Sequence, residues 1–395
     1  SAPDFLDRVR ASNAITGAAE DMVVKWQPDI KVVEAGDATE QAITPGDETF
    51  YPIQWAPKAV EAPAAWAQGC TGKGVRVAIL DGGIHSTHVD LVANLDVARS
   101  ASFVPGFAFN QDVGTFWHGT HVAGIVAAAD NGIGTIGIAP EATLVGVKAL
   151  HNGSGAFSWI IQGILYAATP VAGGGGGADI INMSLGAGFA RNGGEPSEAA
   201  QLIAALNAAV NYANRFGVLV VTSAGNDALD LDHTGNYIKV PAQSGSGISV
   251  SATGPVGFAY GSTDFRRIAS YTNYGNSLVN VAGPGGDSAY PTNELCSMPR
   301  YPSGTVTSYC WVFDMVMSTI RGAAASNATY GWAAGTSMAA PAVSAVAAIA
   351  KQMHPGMNGN ALGTFLQRTG DDEGKSGNDP FYGKGFVNAF RACTQ

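Results

Sequence analysis

Four residues carry side chains that together suit nucleophilic attack on a carbonyl carbon: Asp81, His118, Asn226 and Ser337. A serine hydroxyl is a weak nucleophile until a base takes its proton. Histidine is the side chain whose ordinary pKa lets it do so near neutrality. A carboxylate can orient that imidazole and stabilise it as it becomes cationic. An amide N–H can stabilise the oxyanion that forms. Asp81 ends the run "VAILD", and Asn226 ends "VVTSAGN". His118 opens "HGTHVAGIVAA", where Val122, Ile125, Val126 and Ala129 recur at helical spacing. Ser337 heads "SMAAPAVSAVAAIA", a helix of small apolar residues, where backbone N–H groups and the helix dipole favour negative charge. Pro341 is expected in that helix's first turn, which needs no internal donor. His118 and His121 make a poor metal pair, because no acidic residue lies between them and no third ligand is near.

The elements that must position these groups alternate. Nearly continuous apolar runs at 75–81, 143–150, 178–186 and 218–226 fit strands buried on both faces of a parallel sheet. Helix-like stretches at 120–129, 159–168 and 198–216 lie between them. The alternation predicts an α/β fold, a doubly wound, mostly parallel sheet with helices on both faces. Ligands gather at the carboxyl ends of such strands. Asp81, Asn226 and the Ser184-Leu185-Gly186 turn all fall there. "GGGGG" at 173–177 has no following G-K-[ST] and reads as a surface turn. Residues 284–319 show no clear periodicity, hold two cysteines and read as a long stapled insertion.

The chain has 395 residues, 46% hydrophobic and 13% charged, with a net charge of −10. That balance argues against nucleic acid or an anionic membrane as the main partner. No apolar stretch is long enough to span a bilayer. The four cysteines, Cys70, Cys296, Cys310 and Cys393, form no C-x-x-C pair, so zinc is not expected. An even, spread count fits disulfides in an oxidising compartment, with three pairings open. Cys296 with Cys310 would staple one local loop and leave Cys70 for Cys393. The chain opens at Ser1 without a basic or apolar leader, so the expectation is an exported protein whose signal peptide is gone. Residues 1–45 are charged and polar, with short β-like pieces at 22–26 and 30–33, and differ in texture from 46–395.

"AILDGGIHSTHVDL", "HGTHVAGIVAA", "INMSLG", "SAGN" and "GTSMAAP", in that order, resemble the subtilisin-like serine proteases (subtilases) over about residues 52–390. The resemblance implies a secreted, monomeric serine endopeptidase of broad specificity, its single catalytic domain spanning 46–395. Its triad would be Asp81, His118 and Ser337, with Asn226 and the Ser337 N–H as oxyanion donors. Ser184, Leu185 and Gly186 would form one wall of the pocket for the residue before the scissile bond (P1), and Ala224 and Gly225 the other. Gly153, Ser154, Gly155 and Phe157 would belong to the edge strand that pairs with an extended protein or peptide substrate. A structural Ca²⁺ site would draw on Asp47, Asp90 and Asn131 side chains and the carbonyls of Ala129, Ile133 and Thr135. Residues 1–45 would be the chain's own inhibitory propeptide, or a mature extension. Asp227 on the P1 pocket rim would favour basic residues, and Lys239 near its floor would oppose them. Two positions depart from the family pattern: Gly82, where relatives carry threonine or serine, and Ala342, where they carry histidine. A non-enzymatic relative would lack part of the constellation. A G-x-S-x-G esterase would have its serine first and its histidine last.

Overall fold

The computed structural model describes residues 18–28, 30–38, 47–190 and 196–395. The predicted N-terminal unit, 1–45, therefore lies partly outside the described residues. Two short strands occupy its described part, β1 (Val23–Lys25) and β2 (Val32–Asp37). The core strands follow: β3 (Arg76–Asp81), β4 (Ala101–Ser102), β5 (Thr143–Lys148), β6 (Ser154–Ala156), β7 (Ile180–Met183), β8 (Ala187–Ala190), β9 (Leu219–Ser223), β10 (Tyr237–Val240), β11 (Ile248–Thr253) and β12 (Val281–Pro284). Seven of them form one parallel sheet in the order β12-β11-β9-β7-β3-β5-β4.

Strand side chains alternate faces. Val77 and Ile79 of β3 join one buried cluster, and Ala78 and Leu80 join the other. Helices α1 (His118–Ala127), α2 (Phe157–Ala168), α3 (Pro196–Arg215), α4 (Thr336–Met353) and α5 (Gly359–Thr369) cover both faces. α1, α4 and α5 pack with the Val77 cluster, and α2 and α3 with the Ala78 cluster. This is the doubly wound arrangement that the alternating pattern predicts. α4 is buried from Thr336 through Ala350. Its alanines let it come close to the sheet: a Cβ on Gly283 of β12 would lie 3.0 Å from the Ala339 carbonyl.

The strand order reverses around β3. The chain runs from β3 to β5 on one side, then returns to β7 on the other. Such a switch point opens a crevice beyond the strands' carboxyl ends. Asp81 ends β3 there, and the Ser184–Gly186 turn follows β7.

Both disulfides close as the local pairing suggests, Cys296–Cys310 and Cys70–Cys393. Residues 284–319 are more regular than expected. They hold the hairpin of β13 (Leu295–Pro299) and β14 (Thr305–Tyr309), then β15 (Val316–Ile320), which pairs with β16 (Thr329–Ala333). Exposed and half-buried positions alternate along β13 without the strong apolar signal of a core strand, so the pattern gave no strand there. β16 also pairs antiparallel with β2, a contact between residues at least 292 positions apart, such as Asp37 and Thr329.

Candidate active site

His118 opens α1 and Asp81 closes β3, and the two elements touch. A Cβ on Gly119 would lie 2.5 Å from the Gly83 carbonyl and 3.0 Å from the Asp81 Cβ, so only glycine permits this approach. Trp117 leads into the helix at φ 46°, a left-handed conformation that costs a non-glycine residue about 1–3 kcal/mol and is held by its surroundings. The Arg321 guanidinium stacks over its ring at 5.0 Å. The result is a buried dyad, with His118 Nδ1 2.8 Å from Asp81 Oδ2. Asp81 Oδ1 accepts from the Gly82 N–H at 2.6 Å.

Gly82 has a local explanation. A Cβ there would run into the Asp112 carboxylate unless that side chain moved. Beside it the buried Lys148 ammonium donates to the Gly82 carbonyl and, at 2.7 Å, to that of Leu150. Burial lowers the Lys148 pKa and raises that of Asp112. A second hydrogen bond to Asp81 Oδ1 comes instead from the Gln27 Nε2, at 2.8 Å. The same nitrogen lies 2.9 Å from His118 Nδ1.

Ser337 is the second residue of α4, so its N–H is among those with no acceptor inside the helix. Its hydroxyl lies 3.4 Å from the Ser184 carbonyl, and His118 Nε2 is buried without a hydrogen-bond partner. No hydrogen bond joins Ser337 to His118 here; between a serine and its general base such bonds often tighten only with substrate bound. Pro341 is the sixth residue of α4, in its second turn rather than the first. Lacking an N–H, it leaves the Ser337 carbonyl without its helical donor. The Ser184 hydroxyl takes that role at 2.7 Å. Ser184 is held by Asn182 Nδ2 at 2.9 Å, and Asn182 Oδ1 accepts from Ser344 at 2.9 Å. This buried chain ties the end of β7 to α4, the helix that holds Ser337. Ala342 is fully buried in that helix's apolar face.

Asn226 follows β9. Its Oδ1 accepts from the Thr336 N–H at 2.9 Å and the Thr336 hydroxyl at 2.6 Å. With the oxygen so held, the Asn226 amide nitrogen is left as the donor. Thr336 thus holds Asn226 from the position beside Ser337, and nothing in its spacing points to that contact.

The predicted substrate strands also meet at the cleft, and they grip a segment of the chain itself. β1 pairs antiparallel with β6, Val24 opposite Gly155. Trp26 and Gln27 N–H groups both donate to the Gly153 carbonyl, and Gly186 N–H donates to the Trp26 carbonyl at 2.9 Å. The Phe157 N–H donates to Met22. Trp26 is fully buried, its ring edge-on to Phe157 at 4.9 Å and its Nε1 bonded to the Gly155 carbonyl. Residues 22–27 therefore lie between Gly153–Phe157 on one side and Gly186 on the other. A cavity of about 330 Å³ stays beside Ser337, lined by Leu185, Gly186, Ser223, Gly225, Asp227 and Lys239. Ala224 is buried behind that wall, its carbonyl accepting from Asn273. Lys239 Nζ donates to Asp227 Oδ2 at 2.7 Å. Burial works to raise the Asp227 pKa, but the hydrogen bonds from Lys239 and Asn273 outweigh it and lower the net value.

The expected calcium loop is compact. Asp90 is fully buried, accepting from the Thr135 N–H at 3.0 Å and from Asn131 Nδ2 at 3.3 Å. The Asn131 Oδ1 accepts from the Ile133 N–H, and the Ala129 N–H donates to the Asp90 carbonyl. The carboxylate buried against this loop is Glu48, with Oε1 3.4 Å from the Gly132 N–H, while Asp47 stays half-buried. Glu48 Oε2 is buried without a partner. Burial and the neighbouring Asp130 push the Glu48 pKa up to about 8, and burial pushes that of Asp90 to about 7. No group of three or more His, Cys, Asp or Glu side chains among the described residues is arranged to hold a metal.

The family model described as "Subtilase family" matches residues 72–385. The chain is 36% identical to M-protease of Shouchella clausii (strain KSM-K16) over 338 residues, covering 85% of this chain and 69% of that protein. It is 35% identical to Subtilisin BL of Lederbergia lenta, covering 85% of this chain and 97% of that protein. A solved structure titled as proteases from Pseudoalteromonas arctica superimposes with a TM-score of 0.65 at 28% identity, covering 89% of this chain and 98% of that one. The epidermin leader peptide processing serine protease of Staphylococcus aureus shares the fold, with a TM-score of 0.70 at 21% identity over 90% of this chain and 83% of that one. The chain belongs to the subtilase family and is a serine endopeptidase of the subtilisin type.

Proposed function

We propose that this endopeptidase works through Asp81, His118 and Ser337, with Asn226 and the Ser337 N–H as its oxyanion hole. The observation that carries the reading is the buried His118–Asp81 hydrogen bond on a helix that packs against the one whose N-terminus holds Ser337. His118 Nε2 takes the Ser337 proton as the oxygen attacks the scissile carbonyl. The Asn226 amide and the Ser337 N–H hold the oxyanion while Asp81 stabilises the imidazolium. His118 then gives its proton to the leaving amine, and water hydrolyses the acyl-enzyme by the reverse roles. The test is casein digestion by the parent and by Ser337→Ala. Digestion at an equal rate would sink the assignment.

Residues 1–45 act in this reading as an intramolecular inhibitor rather than a passive extension. The pairing of β1 with β6 supports it, because β6 is the edge an extended substrate would need. Protein substrates would bind there in the same extended form, with broad preference beyond P1. Structural calcium belongs to the same reading. Asp90, Asn131 and Glu48 offer the hard oxygen donors it takes, and the partnerless buried Glu48 oxygen is a group that a cation would satisfy. Bound Ca²⁺ would brace the loop and take no part in catalysis. Two disulfides and an acidic net charge fit a secreted monomer.

A further inference from the structure

The cavity beside Ser337 ends on a lysine. Lys239 stands opposite Gly188 in the β8–β10 ribbon, and its stem crosses between the two walls of the cavity. A Cβ on Gly225 would lie 2.8 Å from the Lys239 Cε, and one on Gly186 would lie 3.7 Å from the same atom. The two glycines thus make room for the stem, which lines the cavity. The lysine side chain is 11% exposed and that of Asp227 is 43% exposed. Asp227 Oδ2 is held twice, by Lys239 Nζ at 2.7 Å and by Asn273 Nδ2 at 3.1 Å. Asn273 is itself fully buried, and its Oδ1 accepts from the Asp227 N–H. The carboxylate is therefore fixed in place. The ammonium has three N–H donors and one acceptor among the described residues, Asp227.

Resting on the protease reading above, we infer that Lys239 and Asp227 set the P1 preference, selecting neutral side chains that end in a carbonyl acceptor, as glutamine does, and rejecting lysine and arginine. An amide oxygen reaching the floor meets a spare N–H of Lys239. A cationic P1 side chain meets an ammonium already there, and the carboxylate that would welcome it is occupied. A carboxylate P1 side chain gains the ammonium but faces Asp227. The bland alternative is a pocket that reads only size and apolarity, for which the ion pair is a brace.

The experiment uses tetrapeptide nitroanilides that differ only in P1, being Gln, Glu or Lys. Ratios of kcat/KM on one preparation are compared, because the fraction of molecules with an open cleft cancels. The parent should cut after Gln at least tenfold better than after Lys. Lys239→Met keeps the stem and uncovers Asp227, so the Gln/Lys ratio should fall at least tenfold. Asp227→Asn leaves the ammonium unopposed, so the Glu/Gln ratio should rise by about as much. A parent that favours Lys, or ratios that move less than twofold in both variants, would overturn the inference and leave the protease reading standing. If Ser337→Ala cuts all three peptides like the parent, the protease reading itself fails, and this inference with it.

Discussion

Replacing Trp26 by alanine should open the cleft. Trp26 belongs to the segment that lies in the groove, and its ring is fully buried against Phe157. Truncating a buried tryptophan costs about 3–5 kcal/mol. That loss falls on the docked state of the segment, since the released state exposes residue 26 either way. At 1.4 kcal/mol per factor of ten, the open population should rise roughly 10²- to 4 × 10³-fold, until it saturates. An apparent dissociation constant is raised by the reciprocal of the competent fraction, so a peptide competing for the groove should bind more tightly by the same factor. The measurement is best made in a Ser337→Ala background, where the chain cannot cut itself, by titrating a fluorescent extended peptide and following anisotropy. Gln27→Ala should do the same on a smaller scale. It removes a hydrogen bond to a carboxylate, worth about 1.5–3 kcal/mol. If Trp26→Ala keeps its fold yet binds the peptide no tighter than the parent, residues 22–27 do not hold the groove closed.

Three other outcomes follow from particular contacts. Thr336→Val removes the hydroxyl that holds the Asn226 oxygen, so kcat should fall about tenfold with KM within twofold, the scale of one neutral hydrogen bond. A raised KM at unchanged kcat would contradict the positioning role. Chelation by EDTA should lower the melting temperature, and more so at pH 8.5 than at pH 5.5. Glu48, raised to about 8, is neutral in the folded state at the lower pH and must be charged beside Asp130 at the higher. Identical melts with and without EDTA at pH 8.5 would count against the cation. Burial drives the His121 pKa down to about 3, so its contribution is whole above the unfolded value near 6.5 and is lost as pH falls towards 3. Denaturant titrations should show about 1.6 kcal/mol lost to this residue between pH 6.5 and 5, and His121→Asn should flatten that slope.

What the sequence made legible was local. Asp81, Asn226 and Ser337 each sit at an element boundary that a few neighbouring residues announce, and the apolar runs around them report a doubly buried sheet. The groups that finish the site come from far along the chain. Gln27 reaches Asp81 across 54 positions, and Thr336 reaches Asn226 across 110. The β-like piece at 22–26 carries no sign of where it docks, since pairing with β6 depends on edge geometry and not on pattern. Asp112 likewise explains Gly82 only through space. Pro341 lies one turn deeper in α4 than the pattern predicts, because helix boundaries are the least certain feature of a periodic pattern. Asp47 and Glu48 are adjacent, and nothing in their spacing tells which one turns inward.

The Cys70–Cys393 bond gives the molecule an unusual covalent topology. It closes a loop of 323 residues that holds Asp81, His118, Asn226, Ser337 and the whole seven-stranded sheet. In the chain-entropy view such a closure stabilises the fold by roughly 5–6 kcal/mol. β1, Trp26, Gln27 and β2 all precede Cys70, so they hang from this ring as a tail. A cut anywhere in the tail releases a piece held only by its strand pairings and side-chain contacts, and the ring keeps every bond it had. A single cut inside the ring frees nothing, because both new ends remain joined through the sulfurs. Proteolysis by a neighbouring copy of the same enzyme is therefore asymmetric in its effect: one nick in the tail can free the groove, while one nick in the body leaves a single covalent molecule.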